Sequence, residues 1–298
     1  MQIGIGTYSF GGMASYMGLG PTLLEKFKTI KSLGFDSVEL LPVDLEDNDP
    51  EDIKKWLDET GLKVTSVHAM PTEDIVKKLA AVGGQVCIWA STPFNSKAEA
   101  YEVAAQLDEM ADMAAKYGVK VGYHNHNQEF FFDEGKSLLE HLLDAGTKFY
   151  SQLDCGWAQY GGMYPPYFIR KYKNRIIAIH VKENNRVMGP GPRPASRHEP
   201  SKFDSSMFAK VKELPLEERQ KMYDDMMKRF AENGRNERFK VQGVMGAPDS
   251  NMNWQAIKEA LDEQDFEAFW VVEREEFYGD DHDQCVADDC KYLRENVK

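Results

Sequence analysis

The most constraining feature of the sequence is a regular alternation of short β-rich runs with helical patterns, in which a glycine separates a helix from the run that follows it. Examples are the runs at 35–41, 62–68 and 119–126, which come after Gly34, Gly61 and Gly118. Glycine readily takes the left-handed conformation that ends many helices. Repeated strand–helix–strand units place successive strands in parallel. The pattern therefore predicts an α/β protein built on a parallel sheet.

Eight β-rich runs alternate with helices along the whole chain. The clearest helix begins with Ser96 and Glu99, which are spaced as a capping box, and ends before Gly118. The predicted strands end near Thr7 or span 35–41, 62–68, 85–90, 119–126, 149–154, 176–182 and 269–273. Eight such units indicate a (β/α)8 TIM barrel, here a single domain over 1–298. A doubly wound sheet is the rival fold, but no Gly-x-Gly-x-x-Gly follows the first strand.

One long segment, residues 184–253, interrupts the alternation between strand seven and the next predicted helix at 254–261. It opens with Gly-Pro-Gly-Pro-Arg-Pro at 189–194 and contains a predicted helix at 216–233. The segment has 13 lysines and arginines against 10 acidic residues, whereas the whole chain has a net charge of -13. Because this insertion leaves the carboxyl end of a barrel strand, we expect it to form a lid over the active-site face or a subunit contact.

Charge and composition narrow the class of protein. A net charge of -13 would repel the phosphates of a nucleic acid and argues against such a partner. The N-terminus lacks a basic and apolar leader, and no run approaches the roughly 18–20 apolar residues of a membrane span. The four cysteines include no Cys-x-x-Cys pair, which argues against a disulfide framework or a thiolate zinc site. We therefore expect a cytoplasmic protein with no membrane association.

Polar residues that can bind a metal ion gather where the predicted strands end, which is where barrel enzymes hold their sites. They are Glu39, His68, His124, His126, Glu129, Asp154, His180, Lys182 and Glu273. Carboxylates and imidazoles together suit one divalent ion, with Mn2+ favoured and Mg2+, Co2+ or Zn2+ as alternatives. Such an ion could bind a sugar's carbonyl oxygen and the neighbouring hydroxyl, and would stabilise the enediolate formed when the intervening C–H loses its proton. A flanking glutamate or histidine would be the base.

Four short motifs follow one another in order on the predicted strands. They are Tyr-His-Asn-His-x-x-Glu-Phe at 123–130, Leu-Asp-x-Gly-Trp at 153–157, His-x-Lys at 180–182 and Val-Glu at 272–273. Together they resemble the sugar phosphate isomerase/epimerase family of xylose-isomerase-like TIM barrels, over nearly the whole chain except the insertion. The resemblance implies a sugar or glycoside substrate and a single metal ion. It also implies that the ligands are Glu129, Asp154, His180 and Glu273, and that the glutamates carry protons.

Two positions depart from the pattern of the family. Where well-understood epimerases have a glutamate within strand five, this chain has Val-Gly-Tyr at 121–123. His126 or His124 could therefore replace Glu129 as a ligand, and we expect His126 to face into the barrel and His124 to be structural. The superfamily also often has a substrate-contacting histidine where this chain has Trp157. We therefore expect the sugar to stack on the Trp157 ring.

The other strand-end residues have two interpretations each. Glu39 and His68 either bind the substrate or make hydrogen bonds at the rim of the barrel. Lys182 is expected to be catalytic, because a lysine that faces the barrel must meet a partner or a substrate oxygen. His126 is expected to be catalytic as well. A structural role, as a helix cap or a core side chain, is the alternative for Asp154, Glu273 and His180.

The fate of the enediolate decides the reaction class. Return of the proton to the opposite face gives an epimerase, return to the adjacent carbon gives an isomerase, and loss of a β-substituent gives a lyase. The resemblance makes a 3-keto-glycoside lyase the alternative function. An abasic-site endonuclease of this fold is disfavoured, because it needs three zinc ions and many more histidines than the seven here. A non-catalytic sugar-binding or partner subunit is the third alternative, and a homo-oligomer is compatible with the sequence.

Overall fold

The computed structural model describes residues 1–90, 92–199, 210–232, 243–274 and 281–298. The barrel strands are β1 (Ile3–Gly6), β2 (Ser37–Leu40), β3 (Lys63–His68), β4 (Val86–Ala90), β5 (Lys120–His124), β6 (Tyr150–Asp154), β7 (Ile176–Val181) and β8 (Phe269–Val272). They pair in parallel in the order β1-β8-β7-β6-β5-β4-β3-β2 and close into a barrel. This finding confirms the predicted (β/α)8 TIM barrel.

Helices connect the strands and cover the outside of the barrel. They are α1 (Gly12–Tyr16), α2 (Leu23–Ser32), α3 (Pro42–Glu46), α4 (Pro50–Thr60), α5 (Glu73–Ala81), α6 (Lys97–Ala115), α7 (Leu138–Ala145), α8 (Cys155–Tyr160), α9 (Pro165–Lys171), α10 (Leu216–Glu232), α11 (Trp254–Asp262) and α12 (His282–Asn296). Helix α6 begins as predicted, because the Ser96 side chain accepts a hydrogen bond from the Glu99 backbone. Its buried face includes Val103 and Leu107, and burying one such side chain contributes about 1.5–3 kcal/mol. Among the described residues, no helix has the length and apolar character that crossing a bilayer demands.

A small apolar cluster separate from the main core lies among the barrel strands. It consists of Val86, Ile88, Ile177 and Ala178, with Tyr150, Phe266 and Phe269 packed against it. Val86, Tyr150 and Phe269 are the first residues of β4, β6 and β8, so this cluster fills the amino end of the bore. The polar side chains of the carboxyl end therefore lie above an apolar floor.

Two irregularities in strand register occur at positions that matter for the site. The pairing of β2 with β3 shifts between Val38 and Glu39, and the pairing of β6 with β7 shifts between Ser151 and Gln152. In each pair the extra residue lies on the partner strand, Thr65 on β3 and Ile177 on β7. Strands β2 and β6 lie on opposite walls of the barrel. Glu39 and Gln152 nevertheless meet, with Gln152 Nε2 donating to Glu39 Oε2 at 2.6 Å.

The described part of helix α10 packs against the first connection of the barrel. Tyr223 and Met226 of α10 pack against a small cluster formed by Ala14, Met17, Leu19 and Val211. The Arg219 guanidinium donates to the carbonyl oxygens of Met17 and Gly18 at 3.0 and 2.9 Å. Helix α10 agrees with the helix predicted at 216–233 except for residue 233, which lies outside the described residues.

The start of the insertion is attached to a different wall of the barrel. Glu99 accepts hydrogen bonds from the Ser196 hydroxyl and from the Arg197 backbone N–H, the latter at 3.2 Å. The Arg193 guanidinium donates to Asp133 Oδ1 at 3.1 Å. The described parts of the insertion thus contact the loops after β1, β4 and β5. The lid remains a prediction that these contacts support.

Candidate metal centre and active site

Four side chains converge at the carboxyl end of neighbouring strands. His124 and Asp154 are the last residues of β5 and β6, His180 lies near the end of β7, and Glu273 follows β8 directly. Each offers a ligand atom, and these atoms all lie within 4.8 Å of one another. The structure therefore brings Asp154, His180 and Glu273 together as expected, with His124 as the fourth member. We call these four residues the metal-site group.

Two atoms of the metal-site group are buried without a hydrogen-bond partner among the described residues. They are Nε2 of His124 and Oδ2 of Asp154. The other carboxylate oxygen of Asp154 caps helix α8, because it accepts from the Trp157 backbone N–H at 2.7 Å. An unpaired buried polar atom costs free energy unless a ligand satisfies it. Two orphaned lone pairs beside an imidazole and a carboxylate fit a divalent cation.

The charges of the metal-site group depend strongly on one another. Burial raises the pKa of Asp154 well above its usual range, although the Lys182 charge opposes the shift. Burial also disfavours the ionised form of Glu273, but Lys182 and His180 hold the pKa of Glu273 well below its usual value. Lys182 Nζ lies 3.1 Å from Glu273 Oε2, and His180 Nδ1 lies 3.2 Å from the same oxygen. Positive charge next to Asp154 and Glu273 therefore stabilises their ionised forms.

Glu39 is buried next to the metal-site group, and protein groups contact both of its carboxylate oxygens. Its Oε1 lies 2.7 Å from His180 Nε2, and its Oε2 accepts from Ser66 Oγ and Gln152 Nε2, each at 2.6 Å. Burial opposes ionisation, but the charge and hydrogen bond of His180 lower the pKa of Glu39 to about 2. The other end of the Gln152 amide lies 3.0 Å from His124 Nδ1. Glu39 therefore contacts both histidines of the group, one directly and one through Gln152.

A cavity of about 300 Å³ opens beside the metal-site group at the barrel mouth. Its lining includes Tyr8, Tyr16, His68, His126, His180 and Glu273. Hydroxyl, imidazole and carboxylate groups are the donors and acceptors that suit a sugar. The sequence analysis identified both His68 and His126 but not the two tyrosines, which lie in the connection between β1 and α2.

Lys182 and Trp157 form a pair at the side of the metal-site group. Lys182 Nζ lies 5.0 Å from the centroid of the Trp157 ring, a cation–π distance. The same ring lies 6.1 Å from the His126 ring, and Trp157 is only 5% exposed. Trp157 therefore packs against both Lys182 and His126. Stacking of a sugar on the Trp157 ring remains a prediction.

The structure places Glu129 away from the position expected of it. Its buried carboxylate accepts from the Tyr123 hydroxyl at 3.0 Å and from the His126 backbone N–H at 2.8 Å, and burial raises its pKa. Glu129 thus fixes the loop after β5, and His124 takes its place in the metal-site group. We expected His126 and not His124 to face into the barrel, and that orientation is wrong for His124, whose ring lies 4.6 Å from that of His180 inside the bore. Residues two apart in a strand share a face, so the strand pattern does not favour His126 over His124 as the inward-facing residue.

Comparisons with known proteins agree with this architecture. Among solved structures, a sugar phosphate isomerase/epimerase from Parabacteroides distasonis ATCC 8503 superposes with a TM-score of 0.68 at 18% identity, over 100% of this chain and 95% of that chain. A D-psicose 3-epimerase in the presence of D-fructose has a TM-score of 0.60 at 13% identity, over 99% and 98% of the two chains. A probable 3-DHS dehydratase from Bacillus anthracis has a TM-score of 0.59 at 11% identity, over 99% and 100%.

At these identities the superpositions establish a shared fold. A search of curated proteins gave no match. A family model described as xylose isomerase-like TIM barrel matches residues 72–296, which is most of the chain. The motif resemblance is thereby confirmed, and the chain belongs to the xylose isomerase-like TIM barrel family.

Proposed function

We propose that this protein is a metal-dependent enzyme that removes a proton from a sugar carbon next to a carbonyl group and thereby acts as an isomerase or epimerase. The observation that carries the proposal is the pair of orphaned buried atoms, His124 Nε2 and Asp154 Oδ2, in one group with His180 and Glu273. The sugar isomerases and epimerases among the solved neighbours support the same class.

Four residues would bind the metal ion, and one of them would also be the base. His124, Asp154, His180 and Glu273 would hold the ion, which when bound would polarise the substrate carbonyl and offset the negative charge that develops on its oxygen. Glu273 borders the cavity and is kept ionised by Lys182, so it is the base that accepts the proton.

Other groups around the cavity would hold the substrate and complete the proton transfer. The Lys182 ammonium, beside Glu273, would donate a hydrogen bond to a substrate oxygen. His68 and His126 also line the cavity and are the groups that would exchange a proton with the opposite side of the sugar. Tyr8 and Tyr16 would contact its hydroxyl groups.

One observation favours a second candidate. Epimerisation needs a proton carrier on each face of the carbon, and here the position on β5 holds His124 rather than a carboxylate. With Glu39 occupied by protein partners, Glu273 is the one carboxylate of the described lining that is ready to act as a base. A single base suffices for β-elimination, so a 3-keto-glycoside lyase is the alternative. The dehydratase among the solved neighbours, whose name denotes loss of water, is consistent with it.

The test combines metal content with proton exchange. The protein is incubated with Mn2+ and candidate ketoses or 3-keto glycosides in deuterated water, and products are followed by NMR. We expect one ion per chain and deuterium at the carbon next to the carbonyl, with Glu273→Gln abolishing the exchange. A new stereocentre identifies the epimerase, a moved carbonyl the isomerase, and a released aglycone the lyase. A protein that binds no ion and exchanges no proton would be a sugar-binding or partner subunit, and the proposal would be wrong.

A further inference from the structure

We propose that Gln152 and Glu39 are positioning residues: Gln152 sets the tautomer of His124 so that its unprotonated Nε2 faces the metal centre, and Glu39 holds the His180 ring so that its Nδ1 faces the same centre. This inference rests on the proposed function, because it assigns a task to residues that do not themselves touch the ion. It begins from a buried chain of hydrogen bonds that crosses the barrel from β2 to β6 and β7.

The chain has a defined direction because it starts at a carboxylate whose two oxygens lie 2.6 to 2.7 Å from three possible donors. The carboxylate of Glu39 can only accept hydrogen bonds, so each of its neighbours must donate. The neighbours are Ser66 Oγ at 2.6 Å, Gln152 Nε2 at 2.6 Å and His180 Nε2 at 2.7 Å. The Gln152 amide therefore turns its NH2 group toward Glu39 and its oxygen toward His124.

The orientation of Gln152 determines the tautomer of His124. The Gln152 oxygen can only accept, and it lies 3.0 Å from His124 Nδ1, so the proton of the neutral ring is on Nδ1. The lone pair is then on Nε2, which is the buried atom that has no hydrogen-bond partner among the described residues. A reversed amide would place an NH2 group against Nδ1, move the ring proton to Nε2 and block the ligand position.

The same carboxylate sets the orientation of His180. Its Nε2 donates to Glu39, which leaves Nδ1 to face Glu273 Oε2 at 3.2 Å and Asp154 Oδ2 at 4.0 Å. Glu39, His68 and His180 also offer atoms within 4.8 Å of one another, which could indicate a second ion. The 2.7 Å contact between Glu39 and His180 is the length of a charge-assisted hydrogen bond, so we assign Glu39 to orienting the ring. Mutating a residue that hydrogen-bonds a metal ligand in this way typically lowers metal affinity about 10–100-fold.

The experiment compares two buried glutamines that each make two hydrogen bonds. Gln152→Met removes the proposed relay and keeps the side-chain length. Gln264→Met is the matched control, because Gln264 bonds the backbone N–H and carbonyl of Ile176 at the other end of β7, at 3.2 and 3.0 Å. Mn2+ affinity is measured by calorimetry on full-length protein, the metal-free melting temperature is measured in chelator, and the histidine tautomers are read from 15N shifts of the metal-free protein.

We expect both variants to melt earlier than the wild type, whereas only Gln152→Met loses Mn2+ affinity, by about 10–100-fold. The 15N shifts should place the His124 proton on Nδ1 in the wild type and on a mixture of both nitrogens in Gln152→Met. Glu39→Gln serves as a second variant. It keeps the shape of the side chain, but its NH2 group cannot accept a hydrogen bond, so at least one of the donors to Glu39 loses its partner. We expect the same loss of Mn2+ affinity. Unchanged Mn2+ affinity in both Gln152→Met and Glu39→Gln would overturn the relay and leave the proposed function standing. A wild-type protein that binds no Mn2+ would overturn both.

Discussion

Gly156 packs so closely on Lys182 that a Cβ atom on Gly156 would lie 2.5 Å from the Lys182 carbonyl oxygen and 2.7 Å from the Lys182 Cβ. Gly156 is the second residue of helix α8, whose N-cap is Asp154, and Lys182 directly follows β7. The absence of a side chain thus lets the metal-site ends of β6 and β7 approach. This contact is the physical reason for glycine in the Leu-Asp-x-Gly-Trp motif.

We predict that Gly156→Ala displaces Lys182 and thereby Glu273, whose carboxylate Lys182 contacts at 3.1 Å. Overpacking of this kind costs about 1–3 kcal/mol of stability, and a displacement of about 1 Å at a reacting group lowers turnover about 100-fold. Denaturant unfolding and kcat measure the two effects.

The control for this substitution is Gly83→Ala. Gly83 has a φ of +81°, and a Cβ there would meet no atom within 4 Å, so the substitution introduces backbone strain without a clash. It should cost about 1 kcal/mol of stability and leave kcat unchanged. Equal kcat values for both variants would contradict the role assigned to Gly156.

Asp154→Asn should separate metal affinity from stability. Asparagine retains the cap of α8 through its oxygen, and it replaces the unpaired Oδ2 by an NH2 group that can donate to Glu273. Because a buried unpaired carboxylate oxygen is costly, we expect the metal-free variant to melt at or above the wild-type temperature while Mn2+ no longer stabilises it. Melting curves with Mn2+ and with chelator measure this. A metal-free variant that melts well below the wild type would show that the carboxylate stabilises the fold instead.

The contact between α10 and the first barrel loop should affect substrate binding more than folding. Arg219→Met removes the hydrogen bonds to the carbonyl oxygens of Met17 and Gly18, next to Tyr16, which lines the cavity. We expect KM to rise several-fold with a small change in melting temperature, and limited proteolysis to become faster in the insertion. Lys228→Met, at a side chain that is 75% exposed, is the control and should behave as the wild type. An Arg219→Met enzyme with wild-type KM would argue against the lid.

The buried Glu140 should contribute a pH-dependent part of the stability. Burial opposes its ionisation, but Lys171 and the Ser137 cap at the start of α7 hold the pKa of Glu140 below its usual value of 4.5. Its contribution, about 1–2 kcal/mol, is therefore present above the unfolded pKa and lost as the pH falls through the folded one. Glu140→Gln should lower the unfolding free energy at pH 7, and this difference should shrink below about pH 4. Glu109→Gln, at an exposed position, is the control, and a pH-independent difference for Glu140→Gln would refute the assignment.

The strands and three members of the metal-site group were predictable because they follow from local patterns. A glycine before several of the β-rich runs, such as Gly34, Gly61 and Gly118, marks the next strand. Residues at the carboxyl ends of parallel strands meet at one end of a barrel, which brings Asp154, His180 and Glu273 together. The sequence does not distinguish His124 from His126, because residues two apart in a strand share a face and a short histidine-rich run does not reveal where β5 ends.

The hydrogen bonds behind the metal-site group could not be predicted. Glu39 and Gln152 lie on opposite strands of the closed barrel, and the level at which two opposite strands face each other depends on the register of every strand between them, which the hydrophobic pattern does not reveal. Gln152 lies two residues before Asp154 and shares its face of β6. Because it has no titratable group, a search of the sequence for acids and histidines does not select it.

The position of Glu39 makes the stability of the barrel depend on residues of the candidate active site. Its carboxylate joins opposite walls of the bore, and replacing it with an apolar residue would strand the polar ends of Ser66, Gln152 and His180 together. A descendant that lost its reaction would thus still be under selection to keep these side chains for folding. If a related protein keeps Glu39, Ser66 and Gln152, this alone is weak evidence that it is an enzyme. Keeping His124 and Asp154, whose buried atoms have no protein partner among the described residues, is stronger evidence.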